Sequence, residues 1–123
     1  MIYSMPLEVL VVDDDPWFRT VARRLLESAG FDVIGEAESA TEARAAVARL
    51  GPAAVLLDVS LPDGDGVSLA GELAALPSRP LILLTSSDPD AVTGELAQRS
   101  GAEGFVPKQD LSHARLHAAF VTT

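Results

Sequence analysis

Residues 9–16, VLVVDDDP, place three carboxylates directly after a short apolar run. A second apolar run, residues 53–57, ends on Asp58 in the same way. Short continuous runs rich in Val and Leu are typical of strands that are buried on both faces, as in parallel sheets. Carboxylates that meet at the ends of such strands repel one another and raise each other's pKa. We therefore expect a hard divalent cation, first of all Mg2+, to hold them together.

The composition is that of one acidic domain. The chain has 123 residues, 48% of them hydrophobic, and a net charge of −9. This predicts a single domain over residues 1–123 with a core at about 7–120. The acidic balance argues against direct nucleic acid binding, because phosphate contacts need a basic face. The lack of cysteine excludes disulfides and thiolate metal sites. No apolar stretch reaches membrane length and no signal core is recognisable, so the expected location is the cytoplasm, away from membranes.

Predicted strands and helices alternate five times along the chain. The strands cover residues 8–12, 31–36, 53–57, 81–84 and 104–106. The helices run from Asp15-Pro16 to Gly30, over 39–50, over 67–76, from Asp88-Pro89 to near Gly101, and over 110–120. This alternation predicts an α/β fold with a parallel sheet and helices on both faces. Ligands bind such sheets outside the carboxyl ends of the strands, where the strand order reverses.

Polar side chains follow four of these strands and are expected to share that crevice: Asp13, Asp14, Asp58, Thr85 and Lys108. Asp58, between two other acids and a lysine, suggests a carboxylate nucleophile that accepts a phosphoryl group. A cation held by Asp14 and Asp58 would cancel charge on the phosphoryl oxygens. Lys108 would neutralise a further oxygen, and the Thr85 hydroxyl would donate to a third.

The same residues resemble the motifs of the receiver domain of bacterial response regulators. The motifs are VVDDDP with Asp13 and Asp14, LLDVSLPDGDG with Asp58, Pro62 and Gly66, LLTSS with Thr85, and GFVPK with Phe105 and Lys108. The resemblance covers roughly residues 7–120. It implies a flavodoxin-like, doubly wound, five-stranded parallel sheet with strand order 2-1-3-4-5 and helices on both faces.

The resemblance also implies a role for each residue in two-component signalling. Asp58 would take a phosphoryl group from a sensor histidine kinase or a phosphotransfer protein, with Lys108 as the active-site lysine. Thr85 and Phe105 would switch a partner-binding face. The ligands of Mg2+ would be Asp13, Asp14, Asp58 and the backbone carbonyl of Ser60. Members of the family slowly dephosphorylate themselves without being classical enzymes, and a homodimer is one expected assembly.

The chain departs from many receivers at Gln109, which stands where proline often follows the active-site lysine. The bond between Lys108 and Gln109 is therefore expected to be trans, since cis bonds belong almost entirely to proline. The stretch GFVPKQDLS is most similar to receivers that precede a helix-turn-helix effector. No such effector follows here, so the chain is either a stand-alone receiver or a receiver separated from its effector.

Two other functions compete with the phosphoacceptor. One is a receiver-fold interaction module that binds a partner without phosphorylation. The other is a phosphatase-type hydrolase with an aspartyl nucleophile, which is disfavoured because Ser60 stands where that class has a second aspartate.

Several polar residues have plainer interpretations. Asp15 is expected to cap the first helix. Asp63 and Asp65 are expected to be turn residues, since the spacing around them does not match a calcium-binding EF-hand loop. His113 and His117 are four apart on the last helix but lack an evident third ligand, which favours a solvated helix face.

Overall fold

The structure, a computed structural model, describes residues 5–121. Five strands form one sheet: β1 Glu8–Val12, β2 Asp32–Ala37, β3 Ala54–Asp58, β4 Leu81–Ser86 and β5 Gly104–Pro107. All neighbouring strands are parallel, and their spatial order is β2-β1-β3-β4-β5. The predicted flavodoxin-like α/β fold with strand order 2-1-3-4-5 is confirmed.

Five helices cover the two faces of the sheet: α1 Pro16–Ser28, α2 Ala40–Leu50, α3 Gly66–Ala74, α4 Gly94–Arg99 and α5 His113–Phe120. Alternate residues of the buried strands point to opposite faces. Val9 and Val11 pack with α1 and α5, whereas Leu10 and Val12 pack with α2, α3 and α4. Among residues 5–121, no helix combines the length and the apolar character that crossing a bilayer requires.

The carboxyl edge of the sheet gathers the residues that follow the buried strands. Val12 at the end of β1 pairs with Leu57 of β3, and Asp58 pairs with Thr85 of β4. The chain leaves β1 towards β2 on one side, while β3 lies on the other side. The strand order therefore reverses between β1 and β3, and a crevice opens beside Asp13 and Asp58.

The predicted start of the fourth helix at Asp88-Pro89 is wrong, because α4 begins at Gly94. The Ser86 hydroxyl accepts from the Asp88 backbone N–H, and the Asp88 carboxylate accepts from the Asp90 N–H. Such local side-chain bonds compete with helix formation. Thr93 is the true N-cap, and its hydroxyl accepts from the Leu96 N–H at 3.1 Å.

Two further predictions, one of a helix start and one of a loop, are corrected. The last helix begins at His113 rather than at residue 110, because Lys108–Asp110 form a separate 3-10 turn and Ser112 caps α5. The predicted loop after β3 contains a small antiparallel hairpin, Ser60–Leu61 with Gly64–Asp65.

Candidate functional site

Three carboxylates meet at the carboxyl edge of the sheet. Oxygen atoms of Asp13, Asp14 and Asp58 all lie within 4.8 Å of one another. Asp13 is fully buried and Asp58 is 5% exposed, whereas Asp14 lies at the surface. The cluster is therefore open to solvent at Asp14 and shielded from solvent at Asp13 and Asp58. Two buried carboxylates need a positive partner, because an unpaired charge in the protein interior is costly.

Lys108 supplies one such partner from the loop after β5. Its Nζ atom lies 2.7 Å from Oδ2 of Asp13 and 3.4 Å from Oδ2 of Asp58. Burial by itself lowers the pKa of Lys108, but the carboxylates of Asp13 and Asp58 outweigh burial and hold this pKa above its ordinary value. The ammonium group is thus charged at neutral pH. The peptide bond between Lys108 and Gln109 is trans, as expected.

The pKa of Asp58 departs clearly from that of a free aspartate. Burial, as the largest cause, raises its pKa to about 6, and the nearby charge of Asp13 adds to the rise. The Ser60 backbone N–H, which donates to Oδ1 of Asp58 at 3.0 Å, and the charge of Lys108 both oppose it. Such a carboxylate is basic for an aspartate but still mostly ionised at neutral pH. Strongly perturbed acids of this kind cluster at functional sites.

Thr85 carries a buried hydroxyl that has no hydrogen-bond partner within residues 5–121. Oδ2 of Asp13 likewise lacks a well-aligned hydrogen bond, although it faces the Lys108 ammonium. Leaving a buried polar atom unpaired typically costs about 1–3 kcal/mol. The unpaired Thr85 hydroxyl beside an acid cluster fits a site that takes up a charged group. The donor set, several carboxylates with one side open, also fits a hard cation such as Mg2+.

The structure gives the positions of the other predicted ligand, Ser60, and the other predicted switch residue, Phe105, but does not test their roles. Ser60 follows Asp58 by two positions and is exposed, and its role as a carbonyl ligand stays a prediction. Phe105 is half-buried in β5 and packs against the core on the α2, α3 and α4 face. It pairs with Leu84, one register position before Thr85. Its role in switching also stays a prediction.

Two residues of the first turns of α1 support the site and were not predicted from the sequence. The Arg19 guanidinium donates to the Asp13 backbone carbonyl at 2.6 Å and to Glu36 of β2 at 2.9 Å. The Phe18 ring lies beneath the Lys108 ammonium, with Nζ 4.3 Å from the ring centroid. The sequence signal for Arg19 was limited to a second arginine one turn later, Arg23. In the structure both arginines pair with Glu36.

Three further acids, Asp15, Asp63 and Asp65, accept hydrogen bonds from backbone N–H groups at the starts of helices. Asp15 caps α1 by accepting from the Trp17 N–H at 2.9 Å, as predicted. Asp65 caps α3. Asp63, expected only to form a turn, reaches across to α2, where it accepts from the backbone N–H groups of Ala40 and Thr41. Those bonds lower the pKa of Asp63 to about 2, so the hairpin loop is tied to the start of α2 by a carboxylate that stays ionised.

His113 and His117 are exposed, and both contact the end of α1. Nε2 of His113 lies 2.6 Å from the Ser28 hydroxyl, and Nε2 of His117 lies 2.8 Å from the Ala29 carbonyl oxygen. Within the described part of the chain, the three aspartates form the only group of three or more acids or histidines close enough to share a metal. Both histidines thus join helix α5 to the end of helix α1.

Comparisons with known proteins agree with this arrangement. The family model "Response regulator receiver domain" matches residues 9–120. The BvgA positive transcription regulator of Bordetella pertussis is 32% identical over 112 residues, which are 91% of this chain and 54% of that protein. A protein-glutamate methylesterase/protein-glutamine glutaminase of Hahella chejuensis is 34% identical over 87% of this chain and 32% of that protein. The chain therefore spans about half the length, or less, of these curated relatives.

A solved structure shares the same architecture. The signal receiver domain of the response regulator NarL from Mycobacterium tuberculosis superposes with a TM-score of 0.83 at 29% identity, over 97% of this chain and all of that one. The sheet order, the acid cluster and the family match lead to one conclusion. The chain belongs to the response regulator receiver domain family of two-component signalling.

Proposed function

We propose that this receiver accepts a phosphoryl group on Asp58 and thereby switches a partner-binding face. The observation that carries the proposal is the environment of Asp58, a nearly buried acid with Lys108 at 3.4 Å. Its register neighbour, Thr85, has a buried and unpaired hydroxyl. An ammonium and a hydroxyl beside one carboxylate can each donate to one oxygen of a phosphoryl group bound there.

The proposed step is transfer between a phosphohistidine and Asp58. A carboxylate oxygen of Asp58 attacks phosphorus, a P–O bond forms, and the P–N bond to the donor imidazole breaks. The electron pair of that bond stays on the imidazole nitrogen. Lys108 would neutralise one oxygen of the transferred group, and Thr85 would donate its hydroxyl proton in a hydrogen bond to another. Phosphoryl transfer requires little more from the protein than positioning and charge neutralisation.

We infer that Mg2+ is the cofactor, because Asp13, Asp14 and Asp58 offer convergent oxygens at one edge of the sheet. Asp14 is the exposed member through which an ion would enter, and the Ser60 carbonyl is the proposed backbone ligand. When bound, Mg2+ would supply positive charge that offsets the charge on the phosphoryl oxygens. The Ser60 backbone N–H, already bonded to Asp58, fixes the orientation of the carboxylate.

The proposed partners are a sensor histidine kinase or a phosphotransfer protein as donor, with a homodimer or a separate effector as output. The relatives include a transcription regulator and a methylesterase, and the matched residues make up 54% and 32% of their lengths. A cytoplasmic location remains a prediction from the sequence.

Intact-mass spectrometry with a small phosphodonor tests the proposal. Acetyl phosphate with Mg2+ should add one phosphate to the wild type and none to Asp58→Asn. A chelator should abolish the addition. Equal modification of the Asp58→Asn variant, or no modification of the wild type, would favour the interaction module that works without phosphorylation.

A further inference from the structure

The contact between Phe18 and Lys108 joins helix α1 to the loop after β5. Nζ of Lys108 lies 4.3 Å from the centroid of the Phe18 ring. Phe18 is half-buried and packs with the core on the α1 and α5 face. Because the body of the ring is held by the core, the face it offers to the ammonium is fixed.

We propose that Phe18 is a positioning residue for Lys108, whose ring face holds the ammonium over the acid cluster by a cation–π interaction. This inference rests on the proposed phosphoacceptor function. A cation within about 6 Å of an aromatic centroid is attracted by the negative face of the ring, and more strongly where water is excluded. Lys108 meets this condition, since its side chain is only 17% exposed.

The ring differs from the other partners of Lys108 in carrying no charge. Asp13 and Asp58, at 2.7 and 3.4 Å, hold the ammonium electrostatically. A divalent cation at the cluster would compete with the ammonium for those same carboxylates. The Phe18 face is not a ligand for such a cation. It therefore remains a partner for the ammonium when the carboxylates are engaged, which keeps Lys108 from swinging into solvent.

The local sequence explains why such support is useful here. Pro107 precedes Lys108 and Gln109 follows it, so no proline fixes the chain after the lysine. Lys108 begins a short 3-10 turn that ends at Asp110. A long side chain on a short turn has several rotatable bonds to restrain, and a rigid ring below the ammonium restrains their far end.

The test compares Phe18→Leu, which keeps an apolar side chain, with Phe18→Tyr, which keeps the aromatic face. Phosphorylation by acetyl phosphate at fixed Mg2+ should be about threefold to tenfold slower in Phe18→Leu, the range expected for one partly desolvated cation–π contact. Phe18→Tyr should retain most of the wild-type rate. The Mg2+ affinity should be the same in both variants. Leu25→Val, which trims another half-buried side chain of the same core cluster, should leave the rate unchanged.

A second readout does not depend on phosphorylation. Because Nζ of Lys108 lies 4.3 Å from the ring centroid, protons on the adjacent Cε should show an upfield ring-current shift by NMR in the wild type and in Phe18→Tyr, but not in Phe18→Leu. Equal rates in wild type and Phe18→Leu, or a loss shared by Leu25→Val, would overturn the positioning role. A wild type that shows the ring-current shift but accepts no phosphate would instead refute the proposed function, and with it any role of the contact in transfer.

Discussion

Gly66 lies directly against the backbone of Asp58. A Cβ atom at position 66 would overlap the Asp58 carbonyl oxygen and would lie 2.7 Å from the Cα of Val59. The Gly66 N–H also donates to the Val59 carbonyl at 2.7 Å. The hairpin loop after β3 is thus closed on the strand that presents Asp58, and only glycine fits at the point of closure.

Gly66→Ala is therefore expected to displace either the loop or Asp58. Overpacking of this kind costs about 1–3 kcal/mol, so the free energy of unfolding should fall by that amount in urea. The rate of phosphorylation by acetyl phosphate should fall as well. Gly94→Ala is the matched control, because a Cβ there meets nothing within 4 Å. Equal stability and equal rates in the two variants would contradict the close packing at Gly66.

Asp58→Asn is expected to stabilise the protein at neutral pH. The pKa of Asp58 is raised to about 6 in the fold, above its value in an unfolded chain, so the folded state holds the proton more tightly. The stability associated with that proton is complete below about pH 4 and is lost as the pH rises through about 6. At pH 7.5 the Asn variant should be about 1–3 kcal/mol more stable than the wild type.

The pH dependence distinguishes this effect from a general change in packing. Urea unfolding at pH 7.5, 6 and 4.5 should show the advantage of Asp58→Asn shrinking as the pH falls. An advantage that is constant over this range, or that grows in acid, would mean that the Asp58 carboxylate is not the source.

Asp14 and Asp15 are adjacent acids that should differ in Mg2+ binding. Asp14 belongs to the cluster, whereas the Asp15 side chain is engaged in capping α1. Asp14→Asn should weaken Mg2+ binding about tenfold or more, as expected for one lost charged contact. Asp15→Asn removes the same charge and keeps the cap, so calorimetric titration should show little change. Equal losses in both variants would show that net charge alone attracts the ion.

Phosphorylation of Asp58 should change the structure of β5 and α5 as well as the loop after β3. A new dianion at Asp58 is expected to draw in the unpaired Thr85 hydroxyl. Movement of Thr85 would be passed to its register partner Val106 and to the adjacent Phe105. Amide NMR should therefore show shifts in β5 and α5 as well as around Asp58. Shifts that stop at the loop after β3 would argue against Phe105 as a switch residue.

The strands and the site at their ends were predictable because burial dictates both. A strand covered on two faces must be apolar throughout, so β1 and β3 appear in the sequence as unbroken runs that end where the carboxylates begin. Parallel pairing then brings Asp13 and Asp58 to one edge without further information. The same reasoning placed Thr85 at the end of β4 and Lys108 just after β5.

What the sequence did not reveal depends on tertiary contacts or on competing local bonds. Phe18 packs against the core through helix α1, but its contact with Lys108 joins residues 90 positions apart. The bond from Asp63 to α2 is also long-range. The predicted start of α4 was wrong for a local reason, because Asp-Pro is typical of a helix start and equally of a turn.

The most direct test of the account is the chemical identity and position of the added phosphate. A phosphate on a carboxylate is a mixed anhydride, and hydroxylamine attacks its carbonyl carbon, releasing phosphate and leaving a hydroxamate on the side chain. After treatment with acetyl phosphate, Mg2+ and then hydroxylamine, peptide mass spectrometry should find the hydroxamate at Asp58 and at no other carboxylate. A hydroxamate at Asp13 or Asp14, or a phosphate that survives hydroxylamine on a serine or threonine, would contradict Asp58 as the phosphoryl acceptor.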